Sequence, residues 1–378
     1  MPMNRRNFIR AVAAGIAGGT LPTLALSGSE PRQATLAAAW RGPNKGDTYH
    51  AGTLLADWEA RKLVIRHATP LPGRPHGLLP EADGGMLVVA ARPGTWLMRC
   101  DADGRILQQE TVADTSMLRF CGHAIVARSG DVLFTTETDH ASGRGKIGVR
   151  DRKTLKKLDE WETHGLDPHQ LVLDADGQLI VANGGVPRTL ADRKTDLARM
   201  DSSLVRIDAG SGRLLRKWKL DDTRLSMRHL AWSHEPADGG AYLGVAIQAE
   251  HDEAGERANA PILAVLDGDA LFTPPRATDG IGYAGDIAAA WDGGFVLSSN
   301  QAGLAQLWHP SAGDRMTPVV RMEEAYALTQ WRGEAPSGGV LVATALGLVR
   351  SHPTRKPLIL PWPQPMALDN HWSLISEA

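Results

Sequence analysis

Five histidines stand at one recurring point of a small sequence pattern, and imidazole is a ligand, a general base and an acid near neutral pH. The copies read Arg74-Pro75-His76-Gly77-Leu78-Leu79, Cys121-Gly122-His123-Ala124-Ile125-Val126, Asp167-Pro168-His169-Gln170-Leu171-Val172 and Met227-Arg228-His229-Leu230-Ala231-Trp232. A last copy, Asp369-Asn370-His371-Trp372-Ser373-Leu374-Ile375, lies at the C-terminal end. In each, a small or polar turn leads into the histidine and an apolar run follows. Two further copies replace it, with Asp286 in Ala284-Gly285-Asp286-Ile287-Ala288 and Tyr326 in Ala325-Tyr326-Ala327-Leu328-Thr329.

Brought together, several imidazoles with a carboxylate and a phenol suit a transition-metal ion such as iron, copper or zinc, and protonated His with Arg could equally bind an anion. His76, His123, His169 and His229 are the first candidates for metal ligands. His371, Asp286, Glu137 and Tyr326 are the second. A hydrolase or lactonase with a channel-bound cation and a histidine base is an alternative chemistry. Such enzymes collect Asp, Asn and Glu around Ca²⁺, so a histidine ring tilts against that reading. The third reading is an interaction scaffold whose histidines are structural.

Whether the histidines meet depends on the elements that carry them. Successive markers stand 47, 46, 60, 57, 40 and 45 residues apart. That is near the period of a four-stranded propeller blade. A glycine-containing turn and a second apolar run follow in most copies, as in Asp83-Gly84-Gly85-Met86-Leu87-Val88-Val89. The runs are short, rich in Val, Leu and Ile, and bounded by Gly and Asp, as strands are. Seven markers predict an all-β fold, a seven-bladed β-propeller with four-stranded blades. The last marker has no room for a blade after it. Trp372 to Ile375 is therefore expected to complete a blade whose other strands lie around residues 40–67. The first strand of each blade lines the central channel, so the markers should crowd one channel mouth. The polar segments that follow the second strands, including Glu137-Thr138-Asp139-His140 and Asn183-Gly184-Gly185-Val186-Pro187-Arg188, should emerge on the same face.

The remaining residues bound the function. The chain has 378 residues with 41 Lys and Arg against 43 Asp and Glu, a balance that argues against nucleic acid as a partner. Asn4-Arg5-Arg6-Asn7-Phe8-Ile9-Arg10 followed by the moderately apolar Ala11 to Leu26 reads as a twin-arginine signal peptide over residues 1–27. An uncleaved N-terminal anchor is the alternative. Residues 28–378 are then one propeller domain, exported to the periplasm, with no stable membrane span once the signal is removed. A closed ring needs no partner to cover its edges, which predicts a monomer. The two cysteines, Cys100 and Cys121, are open to three readings: a disulfide, a soft ligand at Cys121, or two buried thiols. The run Glu250 to Glu256 reads as a solvated insertion. Tryptophans such as Trp40, Trp58, Trp161, Trp218, Trp232, Trp291 and Trp331 read as packing between blades, and histidines outside the marker position as surface or packing residues. No G-x-S-x-G, H-E-x-x-H, P-loop or CxxCH motif is present.

With these motifs in hand, the chain resembles the exported bacterial proteins carrying domain of unknown function 1513. The resemblance rests on Arg74-Pro75-His76-Gly77, Gly122-His123, Asp167-Pro168-His169-Gln170, Asn183-Gly184-Gly185-Val186, Met200-Asp201-Ser202-Ser203-Leu204 and Arg228-His229-Leu230. It implies a propeller encoded beside imelysin-like proteins in iron-regulated clusters, and so a role in periplasmic iron or metal handling with those proteins as partners. Where that family has a longer His-containing loop after Asn-Gly-Gly, this chain has Arg188-Thr189-Leu190-Ala191-Asp192-Arg193. No ligand role is carried over to that loop.

Overall fold

Short β-branched runs separated by Gly and Asp turns cannot bury both faces alone; stacked as radial blades they do. The computed structural model describes residues 32–113, 115–275, 280–331, 339–352 and 355–377. The expected signal peptide lies outside the described residues. Among these residues no helix is long and apolar enough to cross a membrane.

Seven four-stranded antiparallel sheets form the ring. Blade 2 is Pro75–Pro80, Met86–Ala90, Trp96–Cys100 and Ile106–Thr111, counted outward from the channel. Blades 3, 4 and 5 begin with the inner strands Leu118–Val126, Pro168–Leu173 and Leu225–Trp232. Blades 6 and 7 begin with Asp286–Ala289 and Leu328–Trp331. Each inner strand packs against the next around the circle. Blade 1 is the closure: the C-terminal strand Ala367–Glu377 is its inner strand and pairs with Gln33–Arg41, which is followed outward by Tyr49–Asp57 and Lys62–Pro70. The expected clasp is therefore present, with Trp372 opposite Ala38.

The seam between blades 1 and 7 is the largest apolar cluster and is rich in tryptophan. Trp40, Trp58, Trp331 and Trp372 are buried there with Leu36, Leu54, Leu341 and Leu348. The Trp58 and Trp331 rings meet edge to face with centroids 6.3 Å apart, a favoured aromatic geometry. Elsewhere tryptophans tie blades by hydrogen bonds: Trp218 Nε1 donates to the Asp269 carbonyl and Trp232 Nε1 to the Leu173 carbonyl.

The inner strands share one irregularity. In blade 2, Pro75 pairs with Ala90 and Leu78 with Val88, so His76 and Gly77 together face Val89. The same bulge places His169 and Gln170 opposite Ala182, and Arg228 and His229 opposite Ala246. Larger bulges hold Cys121, Gly122 and His123 in blade 3, and Asp369, Asn370 and His371 in blade 1. A β-bulge bends its strand and re-aims a side chain. Five blades carry the bulge and five carry the histidine. In blade 6 Asp286 pairs with Ser298 without interruption.

Closure by the clasp gives a direct test. Trp372 is 3% exposed within the seam, and truncation of a buried Trp costs about 3–5 kcal/mol. Trp372→Ala should lower the urea midpoint by that amount of free energy; an unchanged midpoint would remove the clasp from the stability of the ring.

Candidate metal centre

The bulges deliver their imidazoles to one point on the axis. His76, His123, His169 and His229 each offer a nitrogen, and these four atoms lie within 4.8 Å of one another. His76 Nε2 is 3.4 Å from His169 Nε2, and His169 Nε2 is 2.7 Å from His229 Nε2. His371 completes the ring, with centroids 4.6 Å from His76 and 4.4 Å from His229. Close packing of backbone makes this convergence sterically feasible. Gly122 has φ +105°, and a Cβ there would fall 2.4 Å from His76 Cδ2. Only glycine meets both demands.

The sequence expectations divide at this point. The five histidines come together as the repeat predicts. Asp286 reaches the cluster: it forms a second group with His229 and His371 whose ligand atoms lie within 4.8 Å of one another, and its Oδ2 is 3.2 Å from His371 Nδ1 and accepts from the Leu328 N–H, while Oδ1 accepts from the Ile287 N–H. A carboxylate on the far nitrogen of an imidazole fixes its tautomer and orientation. Glu137 does not join the ring. It stands on the second strand of blade 3, where Oε1 accepts from Arg150 Nη2 at 2.7 Å and Oε2 pairs with Lys157 Nζ at 2.5 Å. Buried, it is held below the usual carboxylate range against the cost of desolvation by Arg150 and Lys157. Tyr326 lines a neighbouring cavity with Arg74 and Asp369, and its hydroxyl is 3.3 Å from that of Tyr283. Burial, with Tyr283 beside it, pushes its pKa upward and keeps the phenol protonated. Cys100 and Cys121 are free, buried thiols. Burial pushes Cys121 up to about 12, which leaves little thiolate to ligate.

Water is excluded from the ring, and this sets its charge. Burial, followed by the mutual repulsion of the imidazoles, lowers the pKa of His76, His169 and His229 well below 6.5. Burial and His371 do the same for His123. These four imidazoles are thus held neutral, the ligating form. His123 Nε2 and His371 Nε2 are buried without a hydrogen-bond partner. A metal–nitrogen bond of about 2.0–2.1 Å separates tetrahedral ligand atoms by about 3.3–3.4 Å; the His76–His169 spacing of 3.4 Å matches this, the His169–His229 spacing of 2.7 Å is a hydrogen bond that an ion would have to open, and the donor set fits a first-row transition ion.

A second set of residues is legible in the sequence only in part, through the polar segment that ends in Arg188 and is expected on this face. A cavity of about 180 Å³ is lined by His76, His169 and His229 together with Arg74, Arg92, Arg188, Lys194 and Arg228. Behind these cations Asp167, buried, takes Arg228 Nη1 at 2.9 Å and Arg188 Nε at 3.3 Å, and also pairs with Arg92. Asp167 has φ +54°, a strained conformation for a residue with a Cβ that clusters at functional sites. Glu250 takes Lys194 Nζ at 2.5 Å. It is 7% exposed, which corrects the reading of 250–256 as wholly solvated. Arg188 and Asp192 bring the loop that lacks histidine into the same network. Burial, with Arg188 and Arg228 close by, pulls the Arg92 guanidinium down to about 9. The signal was in the repeat: Arg74 and Asp167 stand two residues before a marker histidine, and Arg228 one.

The comparisons agree with the architecture. The family described as protein of unknown function (DUF1513) matches residues 69–375, and the chain belongs to it. No curated protein sequence matches. Hydrazine synthase of Kuenenia stuttgartiensis superposes with a TM-score of 0.58 at 13% identity, over 88% of this chain and 99% of that one. Virginiamycin B lyase from Staphylococcus aureus superposes with 0.53 at 12% identity, over 77% and 85%. At these identities the likeness shows the fold.

Two outcomes test the geometry. In metal-free protein the four depressed imidazoles leave stability intact above about pH 6.5. Below it the unfolded chain binds protons that the folded ring refuses, so stability falls by up to about 1.4 kcal/mol per pH unit for each histidine. Urea titrations at several pH values should show that loss, and a flat profile down to about pH 5.5 would mean that the ring protonates freely. Gly122→Ala should displace His76, seen as a changed His76 resonance in imidazole NMR spectra, whereas Gly130→Ala, which meets nothing within 4 Å, should leave that signal in place.

Proposed function

We propose that this member of the DUF1513 family is an exported metal-handling protein that holds one transition-metal ion on His76, His123, His169 and His229. The observation that supports it is the convergence of four buried imidazole nitrogens within 4.8 Å on four different blades. Nothing in blade packing requires four histidines at one point. Desolvating them costs free energy that a bound ion recovers. His371, oriented by Asp286, stands beside this set as a fifth imidazole. An all-imidazole set suits iron, copper or zinc. Among the three, iron follows from the family resemblance, as do the periplasm and imelysin-like partners.

The lactonase alternative has less support. Asp286 is the only carboxylate grouped with the histidines among the described residues, and backbone N–H groups occupy both of its oxygens. A harder ion such as Ca²⁺ wants six to eight oxygen ligands.

Elemental analysis of protein exported through its own leader and purified without chelator is the decisive measurement. Near one iron, copper or zinc per chain is expected, and none in the His76→Ala/His169→Ala double variant. At a free metal concentration one hundred times its Kd, the ion should add about 2.7 kcal/mol to stability. A wild type that arrives empty and takes up no added metal would leave the histidines structural and favour the scaffold reading.

A further inference from the structure

The cavity beside the ring has a charge pattern of its own. Among the described residues, five cationic side chains line it and no carboxylate does. The carboxylates that pair with those cations, Asp167, Asp192, Glu250 and Asp369, stand behind them. Among the described residues, five cations against four carboxylates leaves one positive charge in excess, and the neutral imidazoles supply nothing to balance it. An excess of one sign of charge in a concave site focuses the field and attracts a counter-ion. Any cation bound on the ring would increase the demand.

The donors also have the right form. Guanidinium forks recognise the planar or tetrahedral oxygens of carboxylates and phosphates, and the ammonium of Lys194 adds a point charge. Arg228 is 2% exposed and anchored by Asp167 at 2.9 Å. Its Nε is buried without a hydrogen-bond partner. Arg188 and Lys194 come from the loop after the second strand of blade 4, so they reach over the channel mouth rather than into a blade. Gln248 and Tyr283 add polar groups to the wall. About 180 Å³ accommodates a small anion.

We infer that this cavity is the binding site for a small oxyanion, a carboxylate or a phosphate, held by Arg92, Arg188, Lys194 and Arg228 against His76, His169 and His229. The inference deepens the metal reading, because the same three histidines border both sites. In a loaded protein the anion would lie against the imidazoles that hold the ion, so ion and anion would bind side by side. The cationic wall does not depend on the metal, and the anion site stands even in a chain that binds none.

Isothermal titration calorimetry of the full mature protein with oxalate and with inorganic phosphate tests this, in chelator-treated and in metal-supplemented samples. Binding is expected in the chelator-treated protein and should weaken as salt is raised. Lys194→Gln, whose side chain is half-exposed, should fold and lose about tenfold in affinity, and Arg188→Gln at least as much. Arg216→Gln, on an outer strand and paired with Asp269, should change nothing. Oxalate binding over phosphate would assign carboxylates, the reverse phosphates, and equal binding oxyanions in general. Anion binding without metal uptake would support this site while overturning the metal reading. Absence of binding by both probes in both samples, or equal affinity in Lys194→Gln, Arg188→Gln and wild type, would overturn it.

Discussion

The strand Ala367–Glu377 sits between the two ends of the ring, and the axis depends on it. It pairs with Gln33–Arg41 to complete blade 1 and buries Trp372 in the seam with blade 7. One turn of the same strand bulges and hands His371 to the other four histidines. Closure and site assembly are thereby one event. An open ring would expose strand edges and would also leave the axial imidazoles in water, where they are ordinary bases. Burial is what holds His76, His123, His169 and His229 neutral.

Around that neutral core the charges are sorted by depth. Structural ion pairs such as Glu137 with Arg150 and Lys157 lie within a blade, where both carboxylate oxygens are occupied. At the channel mouth the order reverses: cations face the cavity, and carboxylates such as Asp167 brace them from behind. Asp167 accepts a left-handed backbone to do this, beside Pro168, at the entry to the strand that carries His169. In blade 5 the bulge that aims His229 inward also carries Arg228, and in blade 4 the turn just before His169 carries Asp167, which braces that arginine.

Much of this was legible in the residues. The period of the markers, the alternation of Val and Leu runs with Gly and Asp turns, and the incomplete last repeat determine a seven-bladed ring closed by its C-terminal strand. The shared position of His76, His123, His169, His229 and His371 determines that they converge, because equivalent positions of a closed array face one axis. Other roles depended on contacts between residues far apart in the chain, which no periodicity encodes. Glu137 and Asp286 look alike as nearby carboxylates. Only the register of the sheet puts the first one strand out, between Arg150 and Lys157, and the second against His371. Glu250 sits in an acidic run that reads as solvated, and burial against Lys194, 56 residues away in sequence, is decided by how the loop of blade 4 folds over blade 5. The sequence by itself thus determined the ring and its histidines, since repetition fixes symmetry. The tertiary structure alone decided which charges surround them, since ion pairing depends on distance and desolvation.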